Sequence, residues 1–313
     1  MNMLNRDDNP LWANVTFKLA LNTASHPFEY AKVLIQIGHE PLSPYPTRTL
    51  FRKPALGLPN VLEYVKYIKQ VDGLSGCYRG LFPRLLCNTV NLVTFQTVSE
   101  ATSRYSCSFI PEPIKNVPEE QYSDYDKFLM LWRETAIEIT GKTASVIASH
   151  PFQVITLRVM AQFVGGETQY SGILSSIAEI YKTDGILGFF SGLIPRLIGE
   201  IILTIFLNGC LFLAKNVVQN NDVIKFSSIP IAIVGTAFSY PFHVVSACMA
   251  VNNSGLAAGN PPQMPIYSSW LECWRHLSRT DQLSRGSSLF FRYYKGAHLS
   301  PTGYHNFVIK KDY

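Results

Sequence analysis

The residues of this 313-residue chain that carry chemistry are charges and amides set where charge is expensive. In "HPFEYAKVLIQIG" (26–38), Glu29 and Lys32 follow Pro27 inside an otherwise apolar stretch. Arg84 and Asn88 stand at the start of another such stretch, Arg158 towards the end of a third, and Glu200 and Asn208 inside a fourth. A charge facing lipid at mid-bilayer costs roughly 2.5–3.5 kcal/mol, so such groups turn to a bundle interior or a water-filled cavity. The chemistry open to them is ion pairing and amide hydrogen bonding along a wet wall. Bond-breaking chemistry is not expected: HExxH, GxSxG and a Gly-rich dinucleotide turn are all absent, and the histidines show no triad spacing. "GKT" (141–143) lacks the first glycine of a phosphate loop. The six cysteines form no CxxC or metal-ligand pattern and read as reduced, packed thiols. No catalytic residue, metal or cofactor is expected.

The elements that must position those side chains are long. Five segments, near 11–37, 82–103, 128–164, 194–218 and 224–251, approach or exceed the roughly 20 residues of a spanning helix. Charged residues make up 16% of the chain against roughly 25% in soluble domains, which favours a membrane protein. The net charge of +5 suits an anionic membrane surface, and no basic run is dense enough for nucleic acid. "MNMLNRDDNP" has neither the apolar core of a signal peptide nor the acid-poor pattern of a transit peptide, so targeting information is expected within the chain.

An internal repeat orders the segments. "DGLSGCYRGLFPR" (72–84) and "DGILGFFSGLIPR" (184–196) agree at Asp, three glycines, leucine and the closing Pro-Arg. "HPFEYAKVL" (26–34) precedes the first block, "HPFQVITLR" (150–158) the second, and a third copy, "YPFHVVSAC" (240–248), follows. Pro27, Pro151 and Pro241 therefore mark three helix kinks. The expected organisation is repeat one over 1–104, a Pro-rich acidic loop over 105–127, repeat two over 128–220 and a truncated repeat three over 221–313.

This order resembles the mitochondrial carrier family, whose three repeats each pair two transmembrane helices around a kinking proline. The resemblance implies an all-α membrane protein, a three-repeat helical bundle. In that family an acid two residues and a base five residues after each proline form a closing ring of ion pairs. Glu29 and Lys32 match; Gln153 and Thr156, then His243 and Ser246, do not. A ring with one pair of three cannot alternate between closed states, which speaks against ordinary solute exchange. After "YSSWLECWRHLSRTDQLSRGSSLFFR" (267–292) no apolar run follows, so the sixth transmembrane helix is expected to be missing or degenerate.

"KVLIQIGHEPLSP" (32–44), "HPFQVITLRVMAQFVG" (150–165), "MAVNNSGLAAGNPP" (249–262) and "SRGSSLFFR" (284–292) are similar to the carrier homologs, a divergent outer-membrane branch of that family. That resemblance implies a multi-pass insertase for tail-anchored and signal-anchored α-helical proteins of the mitochondrial outer membrane. Its polar groove, open sideways to lipid, would be lined by Glu29, Lys32, Arg84, Asn88, Arg158, Glu200 and Asn208. The implied partners are membrane lipids and α-helical client proteins. Alternatives are docking of a Bid-like BH3 protein on the loops at 38–60 and 105–127, phospholipid scrambling along the same track, and a residual solute carrier. Structural roles compete for several of these residues. Glu29 and Lys32, three apart, can neutralise each other, Arg196 and Glu200 can form a local pair, and Asn88 and Asn208 can bond across helices.

Overall fold

The computed structural model describes residues 10–48, 52–105, 123–217 and 221–294. In chain order these form α1 (Pro10–Gln36), β1 (Tyr45–Arg48), β2 (Pro54–Leu58), α2 (Val61–Gly76), α3 (Leu81–Tyr105) and α4 (Asp124–Ala161). Then come α5 (Ile173–Asp184), α6 (Leu193–Val217), α7 (Asn221–Val251), α8 (Trp270–Arg279) and β3 (Arg292–Tyr293). The five long helices, α1, α3, α4, α6 and α7, fall where the sequence places its five segments. By length and hydropathy alone, two stretches among the described residues, Ile186–Lys215 and Ser227–Val251, are apolar enough to cross a membrane. α1, α3 and α4 have the length, at 27, 25 and 38 residues, but are less apolar.

The prolines sit inside α1, α4 and α7, where each removes a helical hydrogen bond. The residue before each one reaches sideways to a distant carbonyl. His26 Nε2 lies 3.0 Å from the Arg79 oxygen and His150 Nε2 lies 3.0 Å from that of Ser191. In the third copy the Tyr240 hydroxyl takes this place and donates to the Arg285 oxygen at 2.7 Å. Each accepting carbonyl immediately precedes a glycine with positive φ: Gly80 (80°), Gly192 (79°) and Gly286 (73°). Those glycines turn the chain out of the segment that carries α2, α5 or α8 and bring it back against a kink. At Gly192 a Cβ would come within 2.4 Å of the Ser246 carbonyl oxygen, so the close approach also requires glycine.

The turns fix the C-terminal halves of α1, α4 and α7 together at one end. Tyr30, Leu34 and Ile35, Val154, Ile155 and Met160, and Ala247, Ala250 and Val251 form one buried core there. α2 is set against it by a capping box in which Asn60 Oδ1 accepts from Glu63 N and Glu63 Oε2 accepts from Asn60 N.

The third copy departs after its glycine. α3 and α6 begin one residue beyond Gly80 and Gly192, whereas the chain after Gly286 runs on without a helix to β3. β3 pairs antiparallel with β2, which pairs with β1, a small sheet that an all-α reading does not contain. Arg292 of β3 is buried, donates to the Pro59 oxygen at 2.8 Å and pairs with Glu40. Burial raises the Glu40 carboxyl above its ordinary range while the guanidinium beside it pulls it back. No sixth long helix occurs among the described residues; residues 295–313, on which the sequence reading of a missing span partly rests, lie outside them, as does most of the 105–127 loop.

Candidate functional site

Above the sealed end the helices enclose a cavity of about 360 Å³. Its wall includes the residues two and five positions after each kinking proline: Glu29 and Lys32, Gln153 and Thr156, His243 and Ser246. Residues three apart share one helix face, so a single rotation of each kinked helix delivers both members of its pair inward. Arg84 and Asn88 of α3 and Arg196 and Glu200 of α6 complete the polar wall.

The electrostatics are uneven. Glu29 does not turn to Lys32; it pairs with Arg84 at 3.4 Å. Lys32 stands 5.7 Å over the Tyr240 ring, a cation–π contact. His243 faces Glu200, Arg196 and Lys32. Three fixed cations, Lys32, Arg84 and Arg196, meet two carboxylates, Glu29 and Glu200, so the wall is positive by one before His243 is counted. Arg196 Nη1 is buried and has no hydrogen-bond partner. A second cavity of about 330 Å³ shares Arg84 and Asn88 and continues along Asn22 and Asn91 between α1 and α3. The arrangement can hold water, ions and other polar groups against its charged wall. Among the described residues no group of three or more His, Cys, Asp or Glu side chains could hold a metal ion.

Of the seven side chains assigned to the groove from sequence, Glu29, Lys32, Arg84, Asn88 and Glu200 line this one cavity. Arg158 does not. It is fully buried beneath the sealed end, pairs with Asp184 at 2.6 Å and donates to the Ala250 oxygen at 3.0 Å. Asn208 does not either. Its amide donates to Glu138 at 2.8 Å and Thr135 at 3.3 Å. Glu138 also holds Lys142 at 3.0 Å, and Lys142 donates to Thr204. This polar seam joins α4 to α6 and leaves the lysine of "GKT" in a structural pair.

Arg196, Tyr240 and His243 were missed as lining residues. The signal for His243 was its place two residues after Pro241, and for Tyr240 its replacement of the histidine found in the first two copies.

Comparison with known proteins bears on this geometry. The profile of the mitochondrial carrier protein family matches residues 12–107 and 129–222. Mitochondrial carrier homolog 2 of Bos taurus is 41% identical over 279 residues, covering 87% of this chain and 90% of its own length. Mitochondrial carrier homolog 1 of Mus musculus is 38% identical over 306 residues, covering 89% of this chain and 75% of its own length. ADP/ATP translocase 2 of Rattus norvegicus is 25% identical over 282 residues, covering 86% of this chain and 84% of its own length. A profile that matches both complete repeats and relatives that cover most of the chain make the assignment plain: the chain belongs to the mitochondrial carrier family, in its branch of mitochondrial carrier homologs.

Proposed function

We propose that this chain is a multi-pass protein of the mitochondrial outer membrane that inserts α-helical proteins, tail-anchored and signal-anchored ones among them, into that membrane. The observation that carries this reading is the cavity walled by Lys32, Glu200 and their neighbours, in a bundle whose third copy runs from Gly286 to Tyr294, the last described residue, without starting another helix. A tail-anchored client must take a short polar tail across hydrocarbon, where each unsatisfied polar group costs several kcal/mol. A wet polar wall lowers that barrier, and a missing stave lets the client's apolar helix pass sideways into lipid. Release of apolar surface into lipid drives the step, so no nucleotide is required.

The test is insertion of a radiolabelled tail-anchored protein into mitochondria carrying Lys32→Glu or Glu200→Lys, scored by resistance to alkaline extraction. Altered insertion at near-normal abundance of the variant is the expected outcome. Unchanged insertion with both variants removes the reading.

A residual solute carrier is the competing reading, favoured by likeness to the ADP/ATP translocase. Only Glu29 and Lys32 supply charge at the six signature positions, so no ring of three ion pairs is available to close and reopen. Exchange of a nucleotide or keto acid by the purified protein in liposomes would favour the carrier. Docking of a Bid-like protein on the loops, or lipid scrambling along the same wall, is compatible with insertion. Cross-links of a partner to residues 38–60 rather than to the helices would separate docking from it.

A further inference from the structure

A polar cavity in a membrane needs a floor, and the residues at the signature positions do not supply a charged one. The helix turn that follows them packs apolar side chains, Leu34 and Ile35, Met160 and Ala161, Ala250 and Val251, all buried, with Arg158 held among them by Asp184. Such a floor is dry only while the kinked ends of α1, α4 and α7 stay pressed together. Between α1 and α4 stands α3, and between α4 and α7 stands α6, whole helices that do the pressing. Between α7 and α1 no described helix stands, yet the core there is as buried as elsewhere.

The segment after Gly286 crosses that gap. The Leu289 oxygen accepts from Val61 N and Tyr294 N donates to the Leu56 oxygen, each at 2.8 Å. Leu58 registers against Arg292 and Gly57 against Tyr293. Across the join Arg292 pairs with Glu40, four residues past the end of α1, with side chains only 5% and 10% exposed. The second guanidinium nitrogen donates to Pro59. We propose that the Glu40–Arg292 clasp is the lock that keeps the cavity blind, holding α1 against α7 where no sixth helix is described and so preventing a through-pore. Unpairing either group leaves a buried charge that draws water to the underside of the floor. This inference stands on the cavity and the clasp and does not depend on the insertase reading.

The experiment reconstitutes the full chain into liposomes holding a small polar fluorophore. The native chain retains the dye. Arg292→Ala and Glu40→Ala release it faster, on the order of a hundredfold, as expected for a buried pair broken on one side. The neutral double variant Glu40→Gln/Arg292→Met retains it, because no unpaired charge remains. Arg79→Ala, which breaks the more exposed Asp72–Arg79 pair, also retains it. Should Arg292→Ala fail to fold by thermal unfolding in detergent, Arg292→Lys keeps the charge but loses the donor to Pro59, and it is expected to leak at an intermediate rate. Dye retention by the folded single variants overturns the proposal. Leakage of the double variant at the rate of the singles also overturns it.

Discussion

Arg158 is the side chain whose role changes most between sequence and structure, and its energetics follow from its surroundings. Its guanidinium is wholly buried, with Asp184, the Tyr170 hydroxyl and the Ala250 carbonyl as partners. Removing one member of such a pair leaves the other charge unpaired at a cost of about 3–5 kcal/mol, whereas an apolar replacement of both is close to neutral. Arg158→Met is therefore expected to lower the unfolding temperature in detergent strongly, and Asp184→Leu added to it to restore much of the loss. A double variant no more stable than Arg158→Met would contradict that account. His39 offers a different test, from its place just past α1. Burial holds its imidazole down at about 4, against about 6.5 in an unfolded chain. Between those two values the unfolded chain binds a proton that the folded one refuses, so stability falls as pH drops through this window. His39→Gln should shrink the difference in unfolding temperature between pH 7 and pH 5. An undiminished difference would place the acid sensitivity elsewhere.

At the level of elements, proline and glycine divide the work: Pro27, Pro151 and Pro241 bend three helices, and Gly80, Gly192 and Gly286 bring the chain back to the bends. The two conformational roles of glycine can be separated. Gly73 has φ of 75° with open space around its Cα, so Gly73→Ala should cost only backbone strain, about 1–3 kcal/mol. Gly192 has the same strain and a carbonyl 2.4 Å from the added carbon, so Gly192→Ala should destabilise clearly more in the same unfolding assay. Equal losses would mean that α7 yields at no cost. These signals explain why the five long helices and the kinks were legible in the sequence. Length, hydropathy and the proline–glycine spacing are local, and the repeat multiplies them. The facing of single residues was legible only in part. Arg158 lies two residues beyond Thr156, roughly 200° around the helix, so a residue that follows an inward one by two faces away. Asn208 lies eight residues past Glu200, about 12 Å higher along the helix axis, where α4 rather than the cavity adjoins. Helical geometry thus held both corrections. The clasp of Arg292 to Glu40 was not legible, because it joins positions 252 residues apart through a strand of two residues.

At the scale of the molecule, the question is why a carrier-like bundle keeps a cavity at all once five long helices are left among the described residues and two of three copies have lost their signature charges. In a bundle closed by three ion pairs, the acids and bases of neighbouring kinked helices occupy one another. Here Gln153, Thr156, His243 and Ser246 stand at four of those six positions, and all six line the same cavity. With the ring charges gone, Lys32, Glu200 and Arg196 keep only neutral or ring neighbours across the wall, Tyr240 under Lys32 and His243 beside Glu200. Restoring the pattern should reverse this. Gln153→Glu, Thr156→Lys, His243→Glu and Ser246→Lys together offer Glu29 and Lys32 new partners and create a third pair. Half-exposed pairs contribute about 0.2–1 kcal/mol each, so the sum is a rise of several degrees at most in the unfolding temperature. The functional effect should be larger than the stability effect, because the pairs would fill the wall that a polar tail has to wet. The quadruple variant is expected to unfold no earlier than the native chain and to insert a tail-anchored client poorly in the same preparation. Native-level insertion by a variant of raised stability would show that the free charges at the cavity wall are incidental to the activity proposed for it.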